Sequence, residues 1–365
     1  MIAALLVFIM MSNLISGIFR PNKLVYYLSI LLLILIFGGV YGIADEENYL
    51  LLYNNISNNN IVSKYSLFSA PGWYFCNLLA VKIGVSFQNF RLLIGLISFL
   101  LLSKFIIRFS ANPNITLVLF LIFPFLIENV QIRNFFASTI FLYSLRFLKR
   151  ENRYNFVFIV FILIASSIHQ IYLLFIPFVL FFKLNYRKAI YVTFSVLTLL
   201  ILIIQSRLLL TLAEIYFDEF ILAKISIYLY NARLGFLALW LIQTGFVLLT
   251  LNTIRSCGLD INRLGKNKTR YSSFLDIVWK LNFYTIICTF PLVMLDGNYF
   301  RIFRNVLITN FIVNSYLFLI LSKKRQLYLY LIILLNLITL NLSINTPQNI
   351  KTVLKPFLEK NSILK

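Results

Sequence analysis

Charged residues are scarce in this sequence. Asp, Glu, Lys and Arg together make up 12% of its 365 residues and 61% are hydrophobic, whereas about 25% of an ordinary soluble domain is charged. This scarcity excludes a soluble enzyme. Because a transmembrane helix needs about 20 mostly apolar residues, the composition predicts a single polytopic, all-α integral membrane domain over residues 1–365.

Cysteine and histidine, the residues that form disulfide bonds and bind many metals, are also few. The three cysteines, Cys76, Cys257 and Cys288, form no CxxC pair and are odd in number, so they indicate neither a disulfide framework nor a zinc site. His169 is the only histidine, and no second histidine or carboxylate lies near it at a ligand spacing. We therefore expect no metal and no cofactor.

The usual motifs of soluble catalysis are also missing. The segment 265–269 lacks the upstream glycine spacing of a Walker A loop. There is no G-x-S-x-G, no H-E-x-x-H and no Rossmann fingerprint. No Asp-x-Asp is present to hold a metal-bound nucleotide sugar. Any reaction is therefore expected to be metal-independent and to use a donor available outside the cytoplasm.

What the chain does contain is a series of apolar segments separated by short basic loops, with no internal repeat. The first segment has neither a basic n-region nor a cleavage site, so we expect it to be retained as a span. The pattern predicts 11 or 12 transmembrane helices. They are expected at about 2–19, 24–43, 90–107, 114–128, 131–148, 154–168, 170–184, 188–206, 235–254, 280–295, 304–321 and 326–344.

Basic residues sort strongly by side. Twenty of the 33 Lys and Arg residues fall in alternate loops, together with only three of the 12 acids, so the positive-inside rule makes that side cytoplasmic. The net charge of +21 then reflects topology, and no nucleic-acid partner is expected. Outer loops are predicted at about 44–89, 207–234 and 296–303, and the main cytoplasmic loop at about 255–280.

Two consequences follow for the outer side. Both ends of 44–89 face outward, so the moderately apolar stretch near 71–87 is expected to form an interfacial or re-entrant helix. The segments 114–128 and 155–183 are too short for complete crossings, since two crossings need about 40 residues. Their turns should lie below the surface, where irregular backbone must line a water-filled cavity or be buried in protein. We expect a recessed polar cavity that opens outward.

Four arginines are predicted on this outer side. Arg133 begins an otherwise apolar helix, and an arginine at membrane depth is costly unless it is solvated or paired. One interpretation is snorkelling, or an ion pair with Glu128. The other is an anion site, because a guanidinium matches phosphate oxygens in a bidentate fashion. Arg233, Arg301 and Arg304 favour the anion site, and a pyrophosphate in particular.

Groups able to move a proton lie nearby in the same topology. His169, at the turn of the shallow hairpin, titrates near neutral pH when unperturbed and is a reasonable general base; a satisfied polar contact is the alternative. Asp45, Tyr49 and Tyr53 are four residues apart, so in a helix they share one stripe. A carboxylate beside aromatic faces suits sugar binding or activation of a sugar hydroxyl, although a solvated acidic run is the simpler explanation.

These segments resemble the EpsG-type, or Wzy-like, polymerases of bacterial exopolysaccharide, capsule and O-antigen. Asp45-x-x-Asn48-Tyr49 is similar to the family's D-x-x-N-Y region, Ile132-Arg133-Asn134-x-x-Ala137 to its I-R-Q-x-x-A, and Ile164-Ala165-x-x-x-His169 follows in the same order. Looser matches are Tyr230-x-x-Arg233-x-Gly235 and Tyr299-Phe300-Arg301. Asn134 departs from the family's usual Gln, which weakens any role that needs the longer amide.

The resemblance implies transfer of a growing glycan from undecaprenyl pyrophosphate to the terminal sugar of another lipid-linked repeat unit. This glycosyltransferase would act on the outer face of the bacterial cytoplasmic membrane, with the lipid-linked oligosaccharide and the bilayer as partners and a chain-length regulator as a further candidate. We expect His169, Asp45 and Arg133 to be catalytic. Substrate binding is expected from Arg233, Arg301, Arg304, Asn48, Tyr49, Tyr299 and Asp296.

Two other functions fit a polytopic chain with a cationic cavity. A flippase of the same lipid-linked oligosaccharide would need charge reachable from both faces, whereas here it is predicted on one. A membrane O-acyltransferase would also use a single histidine, but its acyl donor normally comes from the cytoplasm. The outward prediction for His169 favours the polymerase.

Overall fold

A computed structural model describes residues 1–58, 70–148, 155–205, 235–260, 268–293, 300–316 and 325–364. Within these ranges every regular element is helical, apart from an isolated bridge between Val40 and Asn361. The predicted all-α polytopic membrane architecture is confirmed. The helices are α1 Ile2–Phe19, α2 Lys23–Gly39, α3 Glu46–Ser57, α4 Pro71–Lys82, α5 Phe87–Phe109, α6 Pro113–Ile122, α7 Phe125–Val130, α8 Ile132–Ser144, α9 Asn155–Ile168, α10 Phe178–Lys183, α11 Tyr186–Gln205, α12 Gly235–Asp260, α13 Lys268–Val293, α14 Phe300–Ser315, α15 Arg325–Ile344 and α16 Pro347–Glu359.

Two of these helices meet both criteria for a membrane span, length and mean hydropathy, within the described residues. They are α1 and α5. The pair Tyr330–Ile344 and Pro347–Glu359, bent by 91°, would add a third if it forms one broken span. The count of 11 or 12 spans therefore stays a prediction.

The two segments that were predicted to be too short for complete crossings are each divided into shorter helices. The expected span 114–128 is two helices, α6 and α7, because Pro124 between them lacks the N–H that a continuous helix needs. At 1.5 Å per residue the ten residues of α6 rise about 15 Å, half the hydrocarbon thickness. After α9, the expected span 170–184 is a 3₁₀ helix at Gln170–Phe175 followed by the six-residue α10.

Loop boundaries change more than span positions. The predicted cytoplasmic loop 255–280 is helical at both ends, since α12 continues to Asp260 and α13 already begins at Lys268. The predicted outer loop 44–89 contains α3 and α4, and α4 is the helix expected near 71–87. The predicted loop 207–234 and residues 296–299 lie outside the described residues.

The core is aromatic between helices and polar at selected crossings. α5 packs against α2 and α8, α8 against α9, and α14 against α6, α12 and α13. Where α13 and α14 cross, Asn282 and Asn310 exchange hydrogen bonds of 2.8 and 3.0 Å. Buried amide pairs of this kind fix how apolar helices meet when the hydrophobic effect gives no preference.

One buried arginine ties the loop after α2 to its neighbours. Arg91, in the first turns of α5, is fully buried and donates to the carbonyl oxygens of Phe37 at 2.8 Å and Asn129 at 3.1 Å. Its third nitrogen lies 3.7 Å from the carboxylate of Glu46 at the start of α3. These contacts fix the start of α3 relative to the segment that leads into α8.

Candidate functional site

Five segments far apart in sequence enclose a cavity of about 540 Å³, which we call the site cavity. They are the first two turns of α3, the start of α4, the start of α8, the turn before the 3₁₀ helix and the start of α14. Six of the predicted site residues line it together: Asp45, Asn48, Tyr49, Arg133, His169 and Arg301. Arg233, Asp296 and Tyr299 lie outside the described residues.

The α3 wall of the site cavity follows from helix geometry. Asp45 precedes α3, and Asn48, Tyr49 and Leu52 continue the same stripe at helical spacing. Tyr49 lies near the backbone of Arg133 and packs edge-on against Trp73 at 5.8 Å between ring centroids. The predicted stripe ends there, because Tyr53 is buried and donates to the carbonyl oxygen of Val85.

The opposite wall is cationic. Arg133, in the first turn of α8, and Arg301, in the first turn of α14, are both partly buried and both line the cavity. Glu128 pairs with Arg304, so the alternative of an Arg133–Glu128 ion pair is not what the described residues form. Within the described part of the chain, Nε of Arg133 is buried without a hydrogen-bond partner. Its guanidinium is therefore only partly committed to the protein.

Arg304 was predicted to contact substrate, and the structure places it elsewhere. It does not line the site cavity, and it is only 5% exposed. Its Nε donates to the Glu128 carboxylate at 2.6 Å and its Nη2 to Gln131 Oε1 at 2.6 Å. Arg304 therefore holds the segment before Arg133 in place from behind the cavity wall.

His169 sits between donors. The backbone N–H of Ile171 donates to its Nδ1 at 3.4 Å, and Nη1 of Arg301 lies 3.5 Å from its Nε2. A neutral imidazole accepts at one nitrogen and carries a hydrogen on the other, so the ring can accept one of these two contacts, whereas an imidazolium could accept neither. Burial first, and then the charges of Arg133, Arg301 and Arg304, lower the pKa of His169 to about 3. The ring is neutral at physiological pH and a weak base.

The pKa of Asp45 is shifted in the opposite direction from that of His169. Burial raises the pKa of its carboxyl above the ordinary value, and the guanidinium groups of Arg301 and Arg133 act against that rise. Burial, together with the charge of Asp45, also raises the pKa of Tyr49 to about 12. Asp45 is thus an anionic group of increased basicity that faces two arginines, while Tyr49 keeps its proton.

Several residues of the site cavity were not among the predicted site residues. Trp73, from α4, is 2% exposed and lines the cavity, as do Gln131 and Asn134 on either side of Arg133. The amide of Asn134 is hydrogen-bonded to Asn305 at 3.0 Å. Proximity to Arg133 was a usable signal for Gln131 and Asn134, whereas nothing in the sequence brings α4 to this place. In the described ranges, no three His, Cys, Asp or Glu side chains form a metal-binding group.

Comparison with family models gives a match over most of the chain. The model of the EpsG family matches residues 23–354, which includes every described segment of the site cavity. Neither the curated proteins nor the solved structures contain a match. Apolar helices and this family together indicate a membrane protein of the polysaccharide polymerase type. By a family match over most of its length, the chain belongs to the EpsG family.

Proposed function

We propose that the chain is a glycosyltransferase that joins lipid-linked oligosaccharide repeat units on the outer face of the bacterial cytoplasmic membrane. The donor in this proposal is a glycan on undecaprenyl pyrophosphate, and the acceptor is the terminal sugar of a second lipid-linked repeat unit. The observation that carries the proposal is the site cavity of about 540 Å³, which is lined by the carboxylate of Asp45 and by the guanidinium groups of Arg133 and Arg301.

In the proposed reaction, the acceptor hydroxyl oxygen attacks the anomeric carbon of the donor sugar. The bond from that carbon to the pyrophosphate oxygen breaks, and its electron pair leaves with the pyrophosphate. Arg133 and Arg301 line the cavity where this charge would develop, and preorganised cations are a major source of such stabilisation. A single displacement inverts the anomeric configuration.

The hydroxyl proton needs an acceptor, and two predicted bases compete for it. A general base works best when its pKa approaches the operating pH. The pKa of His169 is lowered to about 3, whereas that of Asp45 is raised. This comparison supports Asp45 as the base, with His169 as a neutral hydrogen-bonding group beside the sugar.

The sugar itself would rest against the α3 and α4 wall. Tyr49 presents aromatic surface there with the buried Trp73 packed edge-on against it, and Asn48 is an exposed amide on the same stripe. Gln131 adds a further amide from the opposite side.

The decisive experiment is chain extension by the purified protein in nanodiscs. The protein is incubated with the host's lipid-linked repeat unit and no nucleotide sugar, and the products are separated by length. A ladder of longer products is expected. Lack of extension by folded protein would contradict the proposal.

Arg133→Ala is the sharpest variant for the pyrophosphate role. We expect extension to fall by about 100-fold or more, since loss of one charge-stabilising donor costs about 10²–10³ in rate. Arg133→Lys should recover part of it, because the charge remains without the bidentate fork. Arg20→Ala, at an exposed arginine after α1, is the matched control; equal rates for the Arg133→Ala and Arg20→Ala variants would contradict the role.

A further inference from the structure

A second and larger cavity of about 730 Å³ lies on the other side of the loop that carries Asp45. Its walls come from residues 41–50, from the start of α5 and from the C-terminal segment 351–360. We call it the tail cavity. Ala44, Glu46, Glu47 and Leu50 line the tail cavity, whereas Asp45, Asn48, Tyr49 and Leu52 line the site cavity. The first turns of α3 therefore form a wall shared by both.

Hydrogen bonds attach the C-terminal segment to the other walls of this cavity. The backbone N–H of Ala44 donates to the carbonyl oxygen of Thr352 at 2.9 Å, and that of Tyr41 to Lys360 at 3.4 Å. Further along, the Asn361 amide and the Ser362 backbone donate to the last carbonyl oxygens of α2, on Ile36 and Gly39. These bonds hold the segment in a fixed position against the loop that carries Asp45.

The chemistry of the tail cavity is mixed. Tyr41 and Phe87 supply aromatic surface, Gln88 an amide, Lys351 and Lys360 cations, and Glu47 an exposed carboxylate. Glu46 is already committed, because it accepts from Gly42 N–H and faces Arg91. A cavity with aromatic surface and charges of both signs suits a ligand with many hydroxyl groups and an apolar face better than it suits a polyanion.

The volume of the tail cavity and the wall that it shares with the site cavity both suit a glycan as its ligand. Ligand sites are commonly about 300–1,000 Å³, and 730 Å³ falls within that range. A helix with its side chains is about 10–12 Å across, so a glycan in the tail cavity lies one helix away from Arg133. The proposed reaction needs two glycans at once. The site cavity would hold only the two sugars that are being joined, so the rest of the acceptor glycan needs a place nearby.

We propose that the tail cavity binds an oligosaccharide segment of the acceptor, namely the sugars that follow the one whose hydroxyl attacks. This inference rests on the proposed function, because an acceptor exists only if glycans are joined. The tail cavity then holds the acceptor while α3 presents Asp45 to its terminal sugar. A free oligosaccharide without lipid or pyrophosphate should therefore bind there.

The test uses a cavity-filling substitution with a matched control on the same segment. Thr352 lines the tail cavity, whereas Lys355, three residues on, is exposed and does not line it. Full-length protein in nanodiscs is titrated with oligosaccharide fragments from partial hydrolysis of the host's own polysaccharide. Thr352→Trp should weaken fragment binding tenfold or more, and Lys355→Trp should leave it unchanged. Equal affinities for the two variants would overturn the proposal.

A kinetic measurement separates acceptor from donor. In the extension assay, Thr352→Trp should raise the KM of the single repeat unit about tenfold while the KM of the longer lipid-linked donor stays unchanged; the reverse pattern would overturn the acceptor assignment. Glu47→Gln, at an exposed side chain, provides a second variant if Thr352→Trp does not fold, and it should raise the same KM at least threefold. If wild-type protein makes no ladder, the proposed function fails; if the ladder forms and both variants match Lys355→Trp, only this inference fails.

Discussion

Arg301 and Arg304, three residues apart on α14, have different surroundings. Arg301 lines the site cavity beside His169, whereas Arg304 is buried against Glu128 and Gln131. Removing one partner of a buried pair leaves an uncompensated charge, and this typically costs about 3–5 kcal/mol. The free energy that Arg304 contributes therefore belongs to folding and to the placement of Arg133.

Glu128→Gln tests that distinction through stability. We expect the free energy of unfolding to fall by about 3–5 kcal/mol, measured by denaturant titration in detergent micelles. Glu359→Gln, at an exposed acid of α16, is the control and should change it by less than about 0.5 kcal/mol. Should Glu128→Gln leave stability unchanged while abolishing extension, Arg304 and Glu128 would belong to the reacting groups instead.

The two predicted bases differ in their pH dependence. As pH rises, the basic form of Asp45 accumulates through a pKa above the ordinary aspartate value, and the rate should rise with it. His169, with its pKa lowered to about 3, is already neutral, so no inflection is expected near pH 6.5. Initial extension rates from pH 4 to 8 measure this directly.

Matched substitutions assign the profile to a residue. Asp45→Asn should lower the rate about 10²–10⁴-fold, the usual loss for a general base, and should remove the acidic limb. His169→Gln keeps a neutral hydrogen-bonding group, so a smaller loss and an unchanged profile are expected. An inflection near pH 6.5 that disappears in the His169→Gln variant would instead restore the histidine as base.

At the scale of elements, the end of α2 is built to receive the C-terminal segment. A Cβ on Gly39 would lie 2.0 Å from Oδ1 of Asn361, whose amide is fixed by bonds to Ile36, Ile363 and Leu364. The amide cannot shift without losing these bonds. The absence of a side chain at Gly39 is what lets the segment dock beside the Asp45 loop.

Gly39→Ala should therefore loosen the C-terminal segment. We expect faster removal of the last residues by carboxypeptidase in detergent, and weaker binding of oligosaccharide to the tail cavity. Gly245→Ala is the control, since a Cβ there meets only Leu335 at 3.9 Å and alanine favours a helix interior. Similar cleavage rates in the two variants would show that the segment adapts to the added methyl group.

Sequence periodicity located helices better than it located their ends. The first span was predicted at 2–19 and α1 is Ile2–Phe19, because the apolar segment ends where Arg20, Pro21 and Asn22 follow. The start of α13 was missed, since its first residues, from Lys268 to Ser273, are mostly polar. Hydropathy alone reads such a helix as a loop.

The same limit applies to the site. Asp45, Arg133, His169 and Arg301 were found because charged or ionisable groups stand out in an apolar chain. Arg91 and Trp73 were not singled out, since their roles depend on which helices meet around them. Charged and ionisable residues, which are rare in this composition, could be predicted as site residues. The helices that pack around them could not.

At the scale of the whole molecule, the C-terminal segment and the Asp45 loop are tied to one side. Thr352 and Lys360 bond to Ala44 and Tyr41, so residues near 355 and the site cavity must face the same compartment. Lys280 marks the side predicted to be cytoplasmic, since its Nζ donates to the carbonyl oxygen of Phe182 at 2.7 Å, next to the basic turn at 183–188. The positive-inside rule assigns that turn to the cytoplasm.

Cysteine labelling in intact cells tests the resulting orientation. In a chain with Cys76, Cys257 and Cys288 replaced by serine, Lys355→Cys and Lys188→Cys place single thiols at exposed positions. An impermeant maleimide should label position 355 in intact cells and position 188 only after permeabilisation. The reverse pattern would put the site cavity on the cytoplasmic side, where a lipid-linked glycan awaiting polymerisation outside would not reach it, and the proposed reaction would fail with it.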